Sequence, residues 1–141
     1  MNLTWNHYAW NTNASVIYLE TPAGTGFSLV GDTSNYATND SISAHDNLQA
    51  VLQWFQKFPE YALNDFYIMG ESYAGVYVPT LALNIIEYNI ELVLKTINLM
   101  GIAVGNPCAD SYIDTDKGLI GLVWSHNLYR TDLQADFGRE I

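Results

Sequence analysis

Short apolar runs of strand length alternate along this chain with longer stretches of helical periodicity. Ser15-Val16-Ile17-Tyr18-Leu19 is β-branched and mostly apolar, and the breakers Pro22, Gly24 and Gly26 end it. Such a run reads as a buried strand feeding a tight loop. Phe66-Tyr67-Ile68-Met69 is a second run, and residues 97–104, closed by Gly105-Asn106-Pro107, are a third. Between the first two, polar residues 31–39 read as a surface connection. Leu48, Val51, Leu52 and Phe55 then recur at three- and four-residue spacings, which predicts an amphipathic helix over residues 42–58. Asp40-Ser41 can cap it, and Pro59 ends it. Leu81, Leu83, Ile85 and Ile86 mark a second helix ending near Tyr88-Asn89, and residues 117–129 mark a last one. Strand, helix, strand, helix, strand, helix is the order of an α/β fold, a mostly parallel sheet covered on both faces by flanking helices. Three strands are few beside the usual five or six. The chain therefore reads as a single, partial α/β domain over residues 1–141, incomplete as a sheet.

Composition narrows the function. The 141 residues are 49% hydrophobic with a mean hydropathy near zero, as expected of one globular core. Fifteen acidic residues against five basic ones give a net charge of −10, which repels phosphate backbones and argues against nucleic acid as a partner. The densest apolar patch, Leu119-Ile120-Gly121-Leu122-Val123-Trp124, is far short of the ~20 residues that span a bilayer, so no membrane association is expected. The first residues lack the basic and apolar regions of a signal peptide. Cys108, the single cysteine, has no partner for an internal disulfide, and no metal-type Cys/His spacing exists. Glycosylation sequons stand at Asn2, Asn13 and Asn39, a weak pointer to the secretory pathway.

Gly70-Glu71-Ser72-Tyr73-Ala74-Gly75 joins an apolar strand to a helix, the setting of a nucleophile elbow. In that turn the serine takes a strained backbone conformation and its neighbours must be small. Gly70, Ala74 and Gly75 meet the need, although Ala74 stands where the written pattern has its second glycine. The strain would hold Ser72 Oγ above the sheet edge, with the Tyr73 N–H aimed where an oxyanion forms. A Gly-rich turn with an incidental serine satisfies the short pattern equally well.

A wider resemblance separates the two. The segment from Gly70 to Gly75 resembles the nucleophile segment of the serine carboxypeptidases, a branch of the α/β-hydrolase fold. Trp10-Asn11, Ala14 and the block Tyr18-Leu19-Glu20-Thr21-Pro22-Ala23-Gly24-Thr25-Gly26-Phe27-Ser28 are similar to that family's upstream strand and loop. Ile97-Asn98-Leu99-Met100-Gly101-Ile102-Ala103-Val104-Gly105-Asn106 resembles the strand that follows. These blocks cover nearly all of residues 6–129 in the right order.

The resemblance implies a partial α/β-hydrolase fold and the release of C-terminal amino acids from peptides through an acyl-enzyme on Ser72. It implies backbone oxyanion donation by Tyr73, whose ring would wall the pocket before the scissile bond. Glu71, paired with a second carboxyl, would hold the substrate's terminal carboxylate. Two acids can hold an anion only by sharing protons, and crowded carboxyls have raised pKa values, which suits acidic compartments. The implied partner is thus a peptide with a free C-terminal carboxylate, the implied location a lysosome, a vacuole or the exterior, and no cofactor or metal is expected. Pro22 to Ser28 would support the site.

Departures are equally informative. A serine hydrolase of this fold needs its Asp and then its His after the serine. Here only His126 follows, with Asp110, Asp114 and Asp116 between. His126, His7 and His45 read as structural or solvated histidines, and the family's Asp and His motifs would lie further along than this chain extends. The Gly-rich loop with the second oxyanion donor, and the partner carboxyl for Glu71, would precede it. The expectation is a central fragment, inactive by itself. A non-catalytic binding module and an esterase or lipase of the same fold are the alternatives. Pro107 replaces the family's usual glycine in a loop, and Cys108 either pairs outside this chain or is a free buried thiol. Glu20 either faces the site or caps nearby N–H groups. The cluster of Asp110, Asp114 and Asp116 reads as a solvated acidic loop, since it lacks the glycine and distal glutamate of a calcium loop. Tyr61, Tyr67, Tyr73 and Tyr77 read as core and rim packing rather than a ligand cage.

Overall fold

The computed structural model describes residues 3–31, 36–92 and 97–128, with all their side chains except those of Thr115 and Asp116. Asn2 and Tyr129 therefore lie outside the described residues, as do residues 32–35 of the expected surface connection. The chain divides into two compact units, Met1–Asn39 and Asp40–Ile141.

In the first unit a single 3-10 turn, Trp10–Thr12, is the regular structure among the described residues. The expected strand at Ser15 to Leu19 does not form. Those residues pair with nothing as a strand, and Tyr18 is 78% exposed. A strand exists only against a neighbour that takes up its N–H and C=O groups. No other strand occurs in this unit's described residues, so β-branched composition has nothing to act on. The loop after it is ordered locally. The Thr25 N–H and hydroxyl both donate to the Pro22 carbonyl, at 3.1 and 2.8 Å, and the Ser28 N–H donates to Thr25 O at 2.9 Å. Gly26 sits at φ 56°, where a Cβ would be strained and would also run into the Glu20 carboxylate.

The second unit carries the sheet. Helix α1 spans Asp40–Lys57 and buries Ala44, Leu48, Val51, Leu52 and Phe55. Its end matches the sequence: Pro59 has no N–H to continue the ladder, and a 3-10 turn, Pro59–Tyr61, follows. Strand β1, Phe66–Glu71, is joined through helix α2, Ala74–Glu91, to the parallel strand β2, Leu99–Gly105. Tyr67 lies opposite Gly101 and Glu71 opposite Gly105. A π-helical turn, Tyr112–Lys117, runs into α3, Gly118–Ser125. No described helix is long and apolar enough to cross a membrane.

Leu48, Val51, Leu52 and Phe55 of α1 meet Leu81 and Ile85 of α2 and Ile97 before β2. Ile85 and Ile97 are fully enclosed, and burying each side chain contributes on the order of 1.5–3 kcal/mol. Where Ile97 has no strand partner, the Asn89 side chain stands in for one. It donates from Nδ2 to Ile97 O at 2.8 Å and accepts the Ile97 N–H at 3.1 Å.

The parallel sheet with flanking helices agrees with the expected fold class. Its coverage differs from the expectation. α2 packs on both strands and on α1, so both of the packed helices serve one face. Tyr67 and Met69 of β1 alternate toward the other face and stay about half exposed. Apolar strands record that a face is suited to burial, not that this chain supplies the cover.

Candidate active site

β1 ends at Glu71 and α2 begins at Ala74, leaving Ser72 and Tyr73 to make the turn. Ser72 takes φ 60°, in the left-handed region that a residue with a Cβ rarely occupies. Three backbone bonds hold it there. The Ser72 N–H donates to Gly105 O at 3.0 Å, extending the β1–β2 ladder by one rung. The Ser72 carbonyl accepts the N–H groups of Gly75 at 3.0 Å and Cys108 at 2.8 Å. Both ends of the strained residue are thus tied to the exit of β2.

Small neighbours are required by contact. A Cβ on Gly70 would collide with the Ala74 methyl, and one on Gly75 would collide with the Cys108 carbonyl. Small residues around the serine thus have a specific steric basis.

Ser72 is exposed at this turn, and its Oγ lies 4.0 Å from Cys108 Sγ. The thiol is free and exposed, so the expectation of a buried thiol is corrected: Cys108 follows the end of β2 and faces the turn rather than the core. Tyr73 opens α2, and among the described residues no acceptor meets its N–H. Free N–H groups at a helix start carry partial positive charge and suit an anion. Glu71, the last residue of β1, is exposed, and its carboxylate makes no hydrogen bond or ion pair among the described residues.

The Tyr73 hydroxyl donates to the Asp40 carboxylate, at 3.1 Å to Oδ1 and 3.3 Å to Oδ2. That bond, and then the negative charge of Asp40, push the Tyr73 phenol above its ordinary pKa. From the sequence alone Asp40 reads only as a helix cap. No local pattern joins it to Tyr73, 33 residues away.

His7, His45 and His126 are exposed, and neither His45 nor His126 hydrogen-bonds to Ser72. His126 follows α3 as its C-terminal residue, and His45 lies 3.8 Å from the Asp46 carboxylate. Glu20 accepts the Phe27 N–H, which decides for its capping role. Asp114 accepts the N–H groups of Ala109 at 2.7 Å and Asp110 at 2.9 Å, while Asp110 accepts that of Ile113 at 2.9 Å. These carboxylates organise their own loop, and no metal-binding group of acids, His or Cys forms among the described residues.

A family model described as serine carboxypeptidase matches residues 1–140. The chain belongs to the serine carboxypeptidase family. It is similar to serine carboxypeptidase-like 26 of Oryza sativa subsp. japonica, 46% identical over 88% of this chain and 26% of that relative. Serine carboxypeptidase-like 22 of Arabidopsis thaliana is 45% identical over 89% of this chain and 27% of its own length. The lysosomal protective protein of Mus musculus is 43% identical over 91% and 25%. The chain thus spans about a quarter of the length of the curated relatives it matches.

Proposed function

We propose that this segment supplies the nucleophile of a serine-type carboxypeptidase, with Ser72 as the attacking residue. The observation that carries the reading is Ser72 at φ 60°, exposed at the turn between β1 and α2 in a chain of this family. Strain of that kind costs on the order of 1–3 kcal/mol and persists where surrounding bonds enforce it.

In this reading Ser72 Oγ attacks the carbonyl of the last peptide bond while a base takes its proton. The tetrahedral oxyanion is met by the Tyr73 N–H, the C-terminal amino acid leaves after protonation, and water hydrolyses the ester on Ser72. Glu71 shares a proton with a second carboxyl and grips the substrate's terminal carboxylate. Such a pair works in mildly acidic surroundings, hence a lysosomal, vacuolar or secreted location. Neither His45 nor His126 is bonded to Ser72, and in this reading the base and its orienting acid come from outside the described residues. The segment alone has no turnover.

The test is hydrolysis of N-blocked dipeptides at acidic pH by the protein expressed from its natural transcript, wild type against Ser72→Ala. Release of the C-terminal residue by wild type alone, lost when that terminus is amidated, supports the reading. Activity that survives Ser72→Ala overturns the nucleophile, and indifference to amidation overturns the role of Glu71.

A further inference from the structure

Asp40 opens α1 and Tyr73 stands at the start of α2, so the bond between them ties the beginnings of two helices together. Both carboxylate oxygens lie within reach of the one hydroxyl, at 3.1 and 3.3 Å, the pattern of a proton shared between two acceptors. The ring has a second constraint. It meets Tyr77, one helical turn on, edge to face with centroids 4.9 Å apart and planes at 69°. Otherwise it is held little, being 47% exposed. A half-exposed tyrosine without these two contacts would exchange between rotamers.

The ring belongs to the residue next to Ser72 and shares its surroundings. Cys108, whose sulfur is 4.0 Å from Ser72 Oγ, is also close enough to act electrostatically on the Tyr73 phenol. The titratable groups that act on that hydroxyl are Asp40 from α1, Tyr77 from α2 and Cys108 from the segment after β2. What fixes the ring therefore fixes a side chain that has Ser72 as its chain neighbour and Cys108 nearby.

We propose that Asp40 is the positioning residue for Tyr73, holding its ring beside Ser72 so that it forms a fixed wall for the substrate side chain preceding the scissile bond. This rests on the carboxypeptidase reading of Ser72. Asp40 touches no substrate; it acts through the tyrosine.

The experiment has two independent readouts on the natural protein. With 13Cζ-labelled tyrosine, the Tyr73 phenol, assigned by its loss in Tyr73→Phe, titrates above the ordinary tyrosine value. It returns toward that value in Asp40→Asn and in Asp40→Ala. An unchanged Tyr73 titration in both variants overturns the tether, whatever the protein hydrolyses. The second readout is peptide hydrolysis with a large or a small residue before the scissile bond. Asp40→Ala and Tyr73→Phe each raise KM for the large residue about three- to tenfold, the size of one lost hydrogen bond, with kcat little changed. The double variant is no worse than either single one, and Asp40→Asn, which keeps an acceptor, recovers most of the loss. Effects that multiply in the double variant, or a KM indifferent to Asp40, overturn the positioning role. A shifted Tyr73 titration in a wild-type protein that cleaves no peptide overturns the carboxypeptidase reading instead.

Discussion

The Ser72 carbonyl accepts the Cys108 N–H at 2.8 Å, while the two side chains bring Oγ and Sγ to 4.0 Å. Two residues 36 apart in sequence thus hold one another on both the backbone and the side-chain level. The bond belongs to neither a helix nor a strand. It locks the serine turn to the segment leaving β2, and the unfavourable φ of Ser72 depends on it.

Ser72→Gly should stabilise the protein by about 0.5–1 kcal/mol, because glycine relieves the left-handed strain although it costs unfolded-chain entropy. Ser72→Val should destabilise it, since a β-branched residue tolerates this φ least. Urea unfolding of the three proteins checks the order. A glycine variant less stable than wild type would mean that Ser72 is not strained.

Gly75→Ala should cost about 1–3 kcal/mol, as the new methyl meets the Cys108 carbonyl and must displace backbone. Gly121→Ala in α3 serves as the contrast. Its Cβ would enter open space, so the change should be neutral or stabilising by up to about 1 kcal/mol. Equal losses at the two positions would contradict the close approach at Gly75.

Asn89→Ala should destabilise by about 1–3 kcal/mol, because it strips the Ile97 N–H of its acceptor and leaves the Ile97 carbonyl with the Leu99 N–H alone. Ile97 is enclosed, so water does not readily replace the amide. Faster amide hydrogen exchange at Ile97 in the variant, ahead of global unfolding, is the expected signature.

The Ala109–Ile113 loop should weaken in acid. Backbone N–H groups of Asp110 and Ala109 lower the Asp114 pKa below the ordinary carboxylate value. A folded pKa below the unfolded one means that this stabilisation is fully present above the ordinary value and is lost as pH falls through the folded one. Wild type should therefore be more stable than Asp114→Asn near neutrality, and the gap should close at low pH. A gap that persists below the Asp114 pKa, measured from denaturation midpoints, would refute this.

Much of the site was legible because its determinants are adjacent. Gly70, Ser72, Ala74 and Gly75 lie within one turn, so small residues around a serine between an apolar strand and a helix announce the geometry. The buried face of α1 was legible for the same reason, Leu48, Val51, Leu52 and Phe55 being one helical stripe. Asp114 and Glu20 were ambiguous. A carboxylate that caps N–H groups and one that faces a ligand look alike in sequence, and the loop path decides between them.

By itself the sequence determined the order β1, α2, β2, the turn at Ser72 and the helical stripe of α1. Each depends on neighbours a few residues away, whose spacing sets local conformation directly. Tertiary structure alone decided that Ser15 to Leu19 forms no strand, that the packed helices share one sheet face, and that Asp40 grips Tyr73 while Cys108 lies beside Ser72. Those outcomes depend on groups that meet only after the chain has folded, and local periodicity carries no information about which distant group arrives.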